Sequence, residues 1–354
     1  MATLNKIYLA LLGCLIAAPA WAAAPVSRPL DPIDPSYLPS LNSLVVTTSY
    51  SYGESGNETI SPSSAVNQEN TSQSNHFGES LQFGINDDLS VGMNWGFGNT
   101  RSIGIVPSHT VVKHEIIKKK HVTVTQVIPQ KQADTVQRGA DNPDFSANYR
   151  FIDQDPFPVA IDGSFDYSPN VFPARAANKR TTGTEASGTQ HGGISLAVSR
   201  DITVFDHDAT LRASGGVGGE SAAVVQGVGG DENLHSGAHV NWSSGVSLYS
   251  GITEKLSGVI ATTFNGSTNN QWVAVNAPKT PVHINAPGIG ENVSAQIGYH
   301  IIENRLLLSF QYQHGFGGSA QHFTDSTGSA QILKDSTQGQ GSNSYSVHLI
   351  ITAF

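Results

Sequence analysis

Histidine is the residue type with the clearest potential for metal chemistry, since the sequence contains 13 His and one Cys. The densest group is Asp206-His207-Asp208, whose two carboxylates lie at a predicted turn. No His or Cys spacing in the sequence resembles that of a structural zinc site. We therefore predict no metal site and no cofactor.

Nucleophilic catalysis would need a Ser with a His within hydrogen-bond reach. The sequence contains no Gly-x-Ser-x-Gly elbow. His239, His300 and His348 occur at polar positions of alternating segments, and His314 is the exception on an apolar row. We therefore predict that the protein is not an enzyme. A lipid-hydrolysing barrel is the alternative within this class.

Polar side chains at alternate positions of the same segments could face a water-filled interior. If they line a pore, opposite charges on facing walls could orient polar permeants. If they instead hydrogen-bond to one another, they would fill a narrow interior, and the sequence leaves both interpretations open. The candidate pore-lining residues are Asn94, Asn148, Arg150, Asp162, Asp166, Arg212, His239, Asn241, Gln296, His300, Gln311 and His348.

A period of two residues positions these side chains. In the segment 305–314, for example, apolar residues at even positions alternate with mainly polar residues at odd positions. Alternation of this kind is typical of a β-strand with one apolar face. Twelve such segments occur, at about 43–52, 77–86, 89–98, 144–152, 157–167, 192–200, 209–218, 237–249, 255–265, 292–301, 305–314 and 344–354. Most have the length that a tilted strand needs to cross a bilayer.

The connections between these segments are alternately long and short along the whole chain. Short periplasmic turns and long external loops are typical of outer-membrane barrels. We therefore predict an all-β fold, a transmembrane antiparallel up-and-down β-barrel of about 12 strands with short periplasmic turns and long extracellular loops. A secreted β-sandwich is the soluble alternative.

The first 22 residues have the pattern of a secretory signal, with Lys6, an apolar run over 7–18 and small residues at Ala20 and Ala22. We expect cleavage after Ala22. Residues 23–42 contain five prolines, which favour an extended periplasmic leader, and a plug in the barrel lumen is the alternative. The predicted domains are therefore 1–22, 23–42 and a barrel over 43–354.

The net charge of −9 disfavours a nucleic-acid partner. Basic residues nevertheless concentrate in the long connection 99–143, which includes Lys113, Lys118, Lys119 and Lys120. We expect this loop to contact lipopolysaccharide phosphates, and a constriction of the pore is the alternative. Glu79 shares its alternation with Phe77 and Leu81, and we expect it above the bilayer because an acidic group at the midplane is costly.

Four passages carry a resemblance to a known family: GADNPDFSANYRF at 139–151, LQFGINDDLSVG at 81–92, GITEKL at 251–256 and GYHIIENRL at 298–306. They resemble the outer-membrane transporter family named for the MetA pathway of phenol degradation, which also includes the amyloid exporter of the Fap system. The resemblance covers about 77–315 and implies a twelve-stranded channel for hydrophobic or peptide cargo. The terminal Phe354 resembles the assembly signal of bacterial outer-membrane proteins.

These observations predict an outer-membrane channel or transporter of a Gram-negative bacterium that moves small, hydrophobic or aromatic molecules. The alternatives are a secretion channel for a peptide or amyloid cargo and a non-conducting adhesin or structural barrel. Expected partners are outer-membrane lipids, lipopolysaccharide, the barrel-assembly machinery, a small-molecule permeant and a second copy in a homo-oligomer.

Overall fold

The computed structural model describes residues 31–353 apart from short internal gaps. The gaps are 62–65, 107–108, 118–119, 129, 155–156, 176–181, 205–206, 226–233, 237, 269, 275–280, 286–288, 317–318 and 326–331. Residues 1–30 and Phe354 also fall outside the described part of the chain. Within that part, no helix combines the length and the hydropathy needed to cross a bilayer.

Twenty β-strands form the described structure. They are β1 (Leu44–Ser61), β2 (Val66–Gly84), β3 (Leu89–Val106), β4 (His109–Ile117), β5 (Lys120–Ile128), β6 (Lys131–Ala140), β7 (Asp144–Ile152), β8 (Ala160–Ser168), β9 (His191–Val204), β10 (His207–Glu220), β11 (Ala223–Val225), β12 (Leu234–Ser236), β13 (His239–Gly251), β14 (Leu256–Ser267), β15 (Asn270–Ala274), β16 (Pro281–Asn285), β17 (Ile289–Ile302), β18 (Leu306–Phe316), β19 (Ser319–Asp325) and β20 (Ile332–Ala353).

The longer strands close into an antiparallel barrel. β6 and β7 pair in succession with the two halves of β3 and act as one wall strand. The ring then runs through β8, β9, β10, β13, β14, β17, β18 and β20 and returns through β1 and β2 to β3. Counting β6 and β7 together gives twelve wall strands, which confirms the predicted fold class. Closure pairs the backbone groups of every wall strand, as a bilayer requires.

Residues of each wall strand point alternately outward and inward, which confirms the period of two. The outward apolar side chains are exposed, for example Phe310 at 57% and Ile260 at 60% of their full surface. Their strand neighbours Ser309 and Val259 are buried at 0% and 9%. In a bilayer the exposed row contacts lipid, and the alternate row faces the lumen.

The short connections 85–88, 252–255 and 303–305 join strands at one end of the barrel, and we call this the short-turn end. At the other end the predicted long loops contain much strand structure. The predicted loop 53–76 is wrong in this respect, because β1 and β2 continue as one hairpin through most of it. The predicted loop 99–143 similarly contains the end of β3, the separate hairpin β4–β5, and β6.

Glu79 lies on β2, and its predicted position above the bilayer stays a prediction. It points outward between Phe77 and Leu81, and both of its carboxylate oxygens lie within 3.1 Å of Thr48 Oγ1. Five residues separate Glu79 from Gly84 at the end of β2. That spacing corresponds to about 12 Å along the barrel axis from Gly84 for a strand tilted by about 40°.

Candidate functional site

The segment 31–42 lies inside the lumen at the short-turn end, so its predicted extended periplasmic conformation is wrong for these residues. Two consecutive turns fold it. The N–H of Asp34 donates to the carbonyl of Asp31, and the N–H of Tyr37 donates to the carbonyl of Asp34. Each turn has Asp at its first position and Pro32 or Pro35 at its second, which are preferred residues there. The prolines therefore stabilise turns, and the alternative of a lumen plug describes the structure. We call residues 31–42 the plug segment.

Asp31 fixes the beginning of the plug segment to two wall strands. Its Oδ2 accepts a hydrogen bond from the Tyr249 hydroxyl at 3.0 Å and lies 3.1 Å from His300 Nε2. Its Oδ1 accepts from the N–H of Ile33 at 3.1 Å. Burial disfavours the charged carboxylate, but interactions with His300, Ser257 and the N–H of Ile33 outweigh it and hold the pKa of Asp31 below its usual value.

Asp34 makes a second polar contact with the wall. Thr210 Oγ1 lies 2.9 Å from Asp34 Oδ2 and 2.9 Å from Asp201 Oδ1. Burial raises the pKa of Asp34 despite the opposing hydrogen bonds from Ser36 and Thr210. A hydroxyl carries one hydrogen, so a protonated Asp34 that donates to Thr210 leaves the Thr210 hydrogen for Asp201.

Ser36 connects the plug segment to a buried ionic triad. Its carbonyl accepts from Arg150 at 2.5 Å, and Arg150 Nε donates to Asp162 Oδ1 at 2.8 Å. Arg212 donates to the other oxygen of Asp162 at 2.7 Å. The side chains of Arg150 and Asp162 are 3% and 7% exposed. Pairing in this geometry satisfies charges that would be costly alone in the lumen.

Apolar packing accompanies these polar contacts. Ile33 belongs to a buried cluster with Val45, Val259, Leu307 and Ile350, which are inward residues of four wall strands. The plug segment also runs directly over Gly84. A Cβ at that glycine would overlap the carbonyl of Ser40 and lie 2.6 Å from the carbonyl oxygen of Pro39. The lumen at the short-turn end is thus filled by complementary packing.

Charged and amide side chains also line the lumen nearer the long-loop end. Asp166 Oδ2 lies 2.9 Å from His191 Nε2. Glu220 accepts from Asn241 at 3.0 Å and lies 3.5 Å from His239 Nε2.

On the neighbouring walls, Gln296 donates to Ser309 at 2.9 Å. Gln311 pairs with Gln296 across β17 and β18, and His348 pairs with Ser309 across β18 and β20. Asn94 and Asn148 face inward opposite Asp144 and Ser90 respectively. All twelve candidate residues therefore occupy the inward alternation, and their contact with a permeant stays a prediction.

The two interpretations of these residues can now be compared at the short-turn end. Arg150, Asp162 and Arg212 do not form opposed charged walls there, because they belong to the nearby strands β7, β8 and β10 and bond to one another. At this level the lumen is filled by mutual hydrogen bonding. Arg150, Arg212 and Asp162 therefore form one bonded group and do not place opposite charges on facing walls.

Several predictions fall outside what the structure describes. Lys118, Lys119 and Phe354 are among the undescribed residues, and the side chains of Lys113 and Lys120 are also outside the description. Among the described residues, no group of three or more His, Cys, Asp or Glu side chains could hold a metal ion.

The residues that join the plug segment to the wall are not among the predicted site residues. Asp31, Asp34 and Ser36 belong to the predicted leader, and Tyr249 and Thr210 lie outside the candidate pore-lining set. The repeated Asp-Pro-x pattern at 31–36 was the available signal, because it favours compact turns over an extended chain. Their distant wall partners have no sequence signature.

Comparison with solved structures supports the architecture. The chain is similar to an outer membrane channel from Pseudomonas putida F1, with a TM-score of 0.52, 7% identity and coverage of 91% of this chain and 99% of that one. Weaker similarity extends to the translocator domain of the autotransporter NalP from Neisseria meningitidis, with a TM-score of 0.41, 10% identity and coverage of 99% and 97%. A FadL homologue from Pseudomonas aeruginosa gives a TM-score of 0.33, 10% identity and coverage of 88% and 90%.

No model of a known protein family matches the chain, and no curated protein matches it. Membership of the family that the sequence resembles therefore stays a prediction. At 7% identity, the structural similarity to the Pseudomonas putida channel establishes a shared fold alone. The closed ring of twelve wall strands agrees with that fold. The chain is a twelve-stranded β-barrel of the kind found in bacterial outer membranes.

Proposed function

We propose that the protein is an outer-membrane channel or transporter of a Gram-negative bacterium that moves small molecules, including hydrophobic or aromatic ones. The observation that carries this proposal is a closed barrel with an exposed apolar band outside and polar side chains inside. Twelve strands enclose a lumen intermediate between those of eight-stranded barrels and sixteen-stranded porins. The similar structure named a channel, and the resemblance of 139–151 to the MetA-type transporter family, favour the same function.

In this proposal the plug segment is the closed state of the channel. It contacts the wall through Asp31, Asp34, Ser36 and Ile33, four points within six residues. These contacts are hydrogen bonds and apolar packing, without a covalent link. Release of the plug segment would therefore open the short-turn end while the wall strands stay paired.

A non-conducting structural barrel or adhesin is the second candidate. The buried plug segment favours it, because a lumen filled with complementary contacts needs no permeant. The strands that extend beyond the apolar band, such as β1 and β2 with 18 and 19 residues, would then present an outer surface for a partner. Conductance separates the two candidates directly.

The remaining expectations complete the proposal. Residues 1–22 direct export and are removed, and Phe354 is recognised by the barrel-assembly machinery. The basic residues at 113–120 contact lipopolysaccharide. The barrel has no enzymatic role, its permeant is a small molecule, and copies associate in the membrane as a homo-oligomer.

The test is conductance of the purified protein in planar lipid bilayers, compared with a variant that lacks residues 31–40. The wild type should show rare or small openings, and the deletion should increase them, with both proteins showing the heat-dependent gel mobility of a folded barrel. Uptake of small aromatic solutes into liposomes that contain the protein then tests whether such molecules are its permeants. If neither protein conducts or takes up solute, the channel proposal is wrong and the structural barrel is favoured.

A further inference from the structure

The charged groups of the lumen are separated along its axis. On the described wall strands, the two inward guanidinium groups are those of Arg150 and Arg212, and both bond to Asp162 at the short-turn end. Asp166 lies four residues farther along β8, which is about 13 Å along the strand. Both guanidinium groups therefore form their ion pairs near the plug segment, and neither lies in the outer half of the lumen.

The outer half of the same wall carries carboxylates paired with imidazoles. Asp166 lies 2.9 Å from His191, and Glu220 lies 3.5 Å from His239. In the register of the sheet, Glu220 is the direct partner of His191 on one side and of His239 on the other. These four side chains thus form a continuous alternating row across β8, β9, β10 and β13.

The row continues around the wall through β7, β3 and β2. Asp144 faces inward on β7, two residues from Ser146, which is the sheet partner of Asp166. Beyond it, His76 Nε2 lies 2.5 Å from Asp141 Oδ2. Glu185 packs against the inward face of Gly98, where a Cβ would approach its carboxyl carbon to 3.0 Å. The described titratable groups of this region are therefore Asp141, Asp144, Asp166, Glu185, Glu220, His76, His191 and His239.

The charge of this row depends on its imidazoles. With neutral His, the five carboxylates would give a charge of −5, and protonation of the three imidazoles would reduce it to −2. A water-filled passage with low-dielectric walls focuses such a field, so the concentration of cations inside rises and that of anions falls. Each protonated imidazole cancels the carboxylate next to it, because the separations are those of ion pairs.

We propose that this His–carboxylate row makes the passage selective for cations, including small organic ammonium ions, and that protonation of its imidazoles greatly weakens the selectivity. The inference rests on the proposed channel function and specifies the class of charged permeant that the channel favours. Selectivity falls as the pH decreases from about 8 to about 5, the interval in which histidine side chains generally change their charge.

The experiment is the reversal potential of the full-length mature protein in a KCl gradient across a planar bilayer, at pH 7.5 and pH 5. The wild type should prefer K⁺ over Cl⁻ several-fold at pH 7.5 and lose most of that preference at pH 5. The double variant Asp166→Asn/Glu220→Gln should show a clearly smaller preference than the wild type at pH 7.5 and none at pH 5. The double variant His191→Asn/His239→Asn should keep its preference for K⁺ at pH 5.

Glu291→Gln is the matched control, since it removes the same charge from an outward position of β17. It should leave the reversal potential unchanged, and heat-dependent gel mobility confirms that each variant is folded. Conductance without a preference for cations, or a preference that neither double variant changes, overturns the inference while the channel proposal stands. Silent bilayers from both the wild type and the deletion of 31–40 overturn the channel proposal, and the selectivity inference with it.

Discussion

Nε2 of His300 lies 3.1 Å from Oδ2 of Asp31, so the first described residue of the chain is held by a strand 269 residues later. The same carboxylate oxygen accepts the Tyr249 hydroxyl at 3.0 Å. This arrangement closes the short-turn end of the lumen with a segment that precedes the first wall strand. The wall of the lumen is complete without the plug segment, so the contacts of this segment are additional to the pairing of the wall strands.

Replacement of Asp31 by Ala should loosen the plug segment. The variant removes the acceptor for both Tyr249 and His300, while the twelve wall strands keep their pairing. Single-channel recordings should show openings several times more frequent than in the wild type. Asp208→Ala, at an exposed position near the start of β10, is the control and should behave as the wild type. Equal opening frequencies in all three proteins would show that this contact does not hold the segment.

Asp31 and Asp34 should give the docked plug segment opposite pH dependences. The pKa of Asp31 is lowered by docking, so its contribution is present above the usual value of 3.8 and is lost as the pH falls through the lowered pKa. The pKa of Asp34 is raised, chiefly by burial, so its contribution is present below 3.8 and is lost as the pH rises through the raised pKa.

The two Asn variants should therefore differ in sign at neutral pH. Asp34→Asn removes a carboxylate that burial and the nearby Asp201 disfavour, so openings should become rarer. Asp31→Asn removes a favourable charge, so openings should become more frequent. Openings are counted at pH 7.5 at one voltage. A change in the same direction for both variants would contradict the assigned pKa shifts.

Removal of the Arg150 side chain should cost much more stability than removal of an exposed arginine. Arg150→Ala leaves Asp162 with one partner and the Ser36 carbonyl unpaired in a buried place. Loss of one member of a buried ion pair typically costs about 3–5 kcal/mol. Urea unfolding in lipid vesicles measures the loss. The control is Arg101→Ala, whose pair with Asp134 is exposed and whose removal should change the unfolding free energy little.

A methyl group at Gly84 should displace the plug segment. Its Cβ would overlap the carbonyl of Ser40, and a backbone group cannot rotate away as a side chain can. Gly84→Ala should therefore raise the proteolytic cleavage rate within 31–42 in the folded barrel. Gly215→Ala is the control, since its Cβ would meet only the carbonyl of Ser243 at an ordinary 3.8 Å. Equal protection of the plug segment in both variants would contradict the packing described above.

Glu79 provides a test of the position of the apolar band. Counted from the short-turn end, it is the third outward residue of β2, after Phe83 and Leu81. Lys at the bilayer midplane of a barrel costs about 2–4 kcal/mol and close to zero near the interface. With Glu79 above the bilayer, Glu79→Lys should therefore change the unfolding free energy in vesicles by close to zero. A loss of about 2–4 kcal/mol with Lys would place the residue near the midplane instead.

The amino-acid sequence by itself determined the wall of the barrel. All twelve predicted segments correspond to wall strands, and the twelve candidate residues, from Asn94 to His348, all face inward. The physical reason is that successive side chains of a barrel strand face lipid and lumen in turn. The alternation of apolar and polar residues in the sequence therefore reports which face each residue occupies. Strand ends were predicted less well, because above the bilayer the apolar alternation is no longer required.

Tertiary structure alone decided how the lumen is filled. The prolines of 31–39 are compatible with an extended chain or with turns, and the choice depends on contacts with Thr210, Tyr249 and His300 on separate wall strands. Arg150 and Asp162 were recognisable as inward residues, but their pairing depends on the register between β7 and β8. Such contacts join residues far apart in the chain, so no local pattern encodes them, and closure of the barrel brings them together.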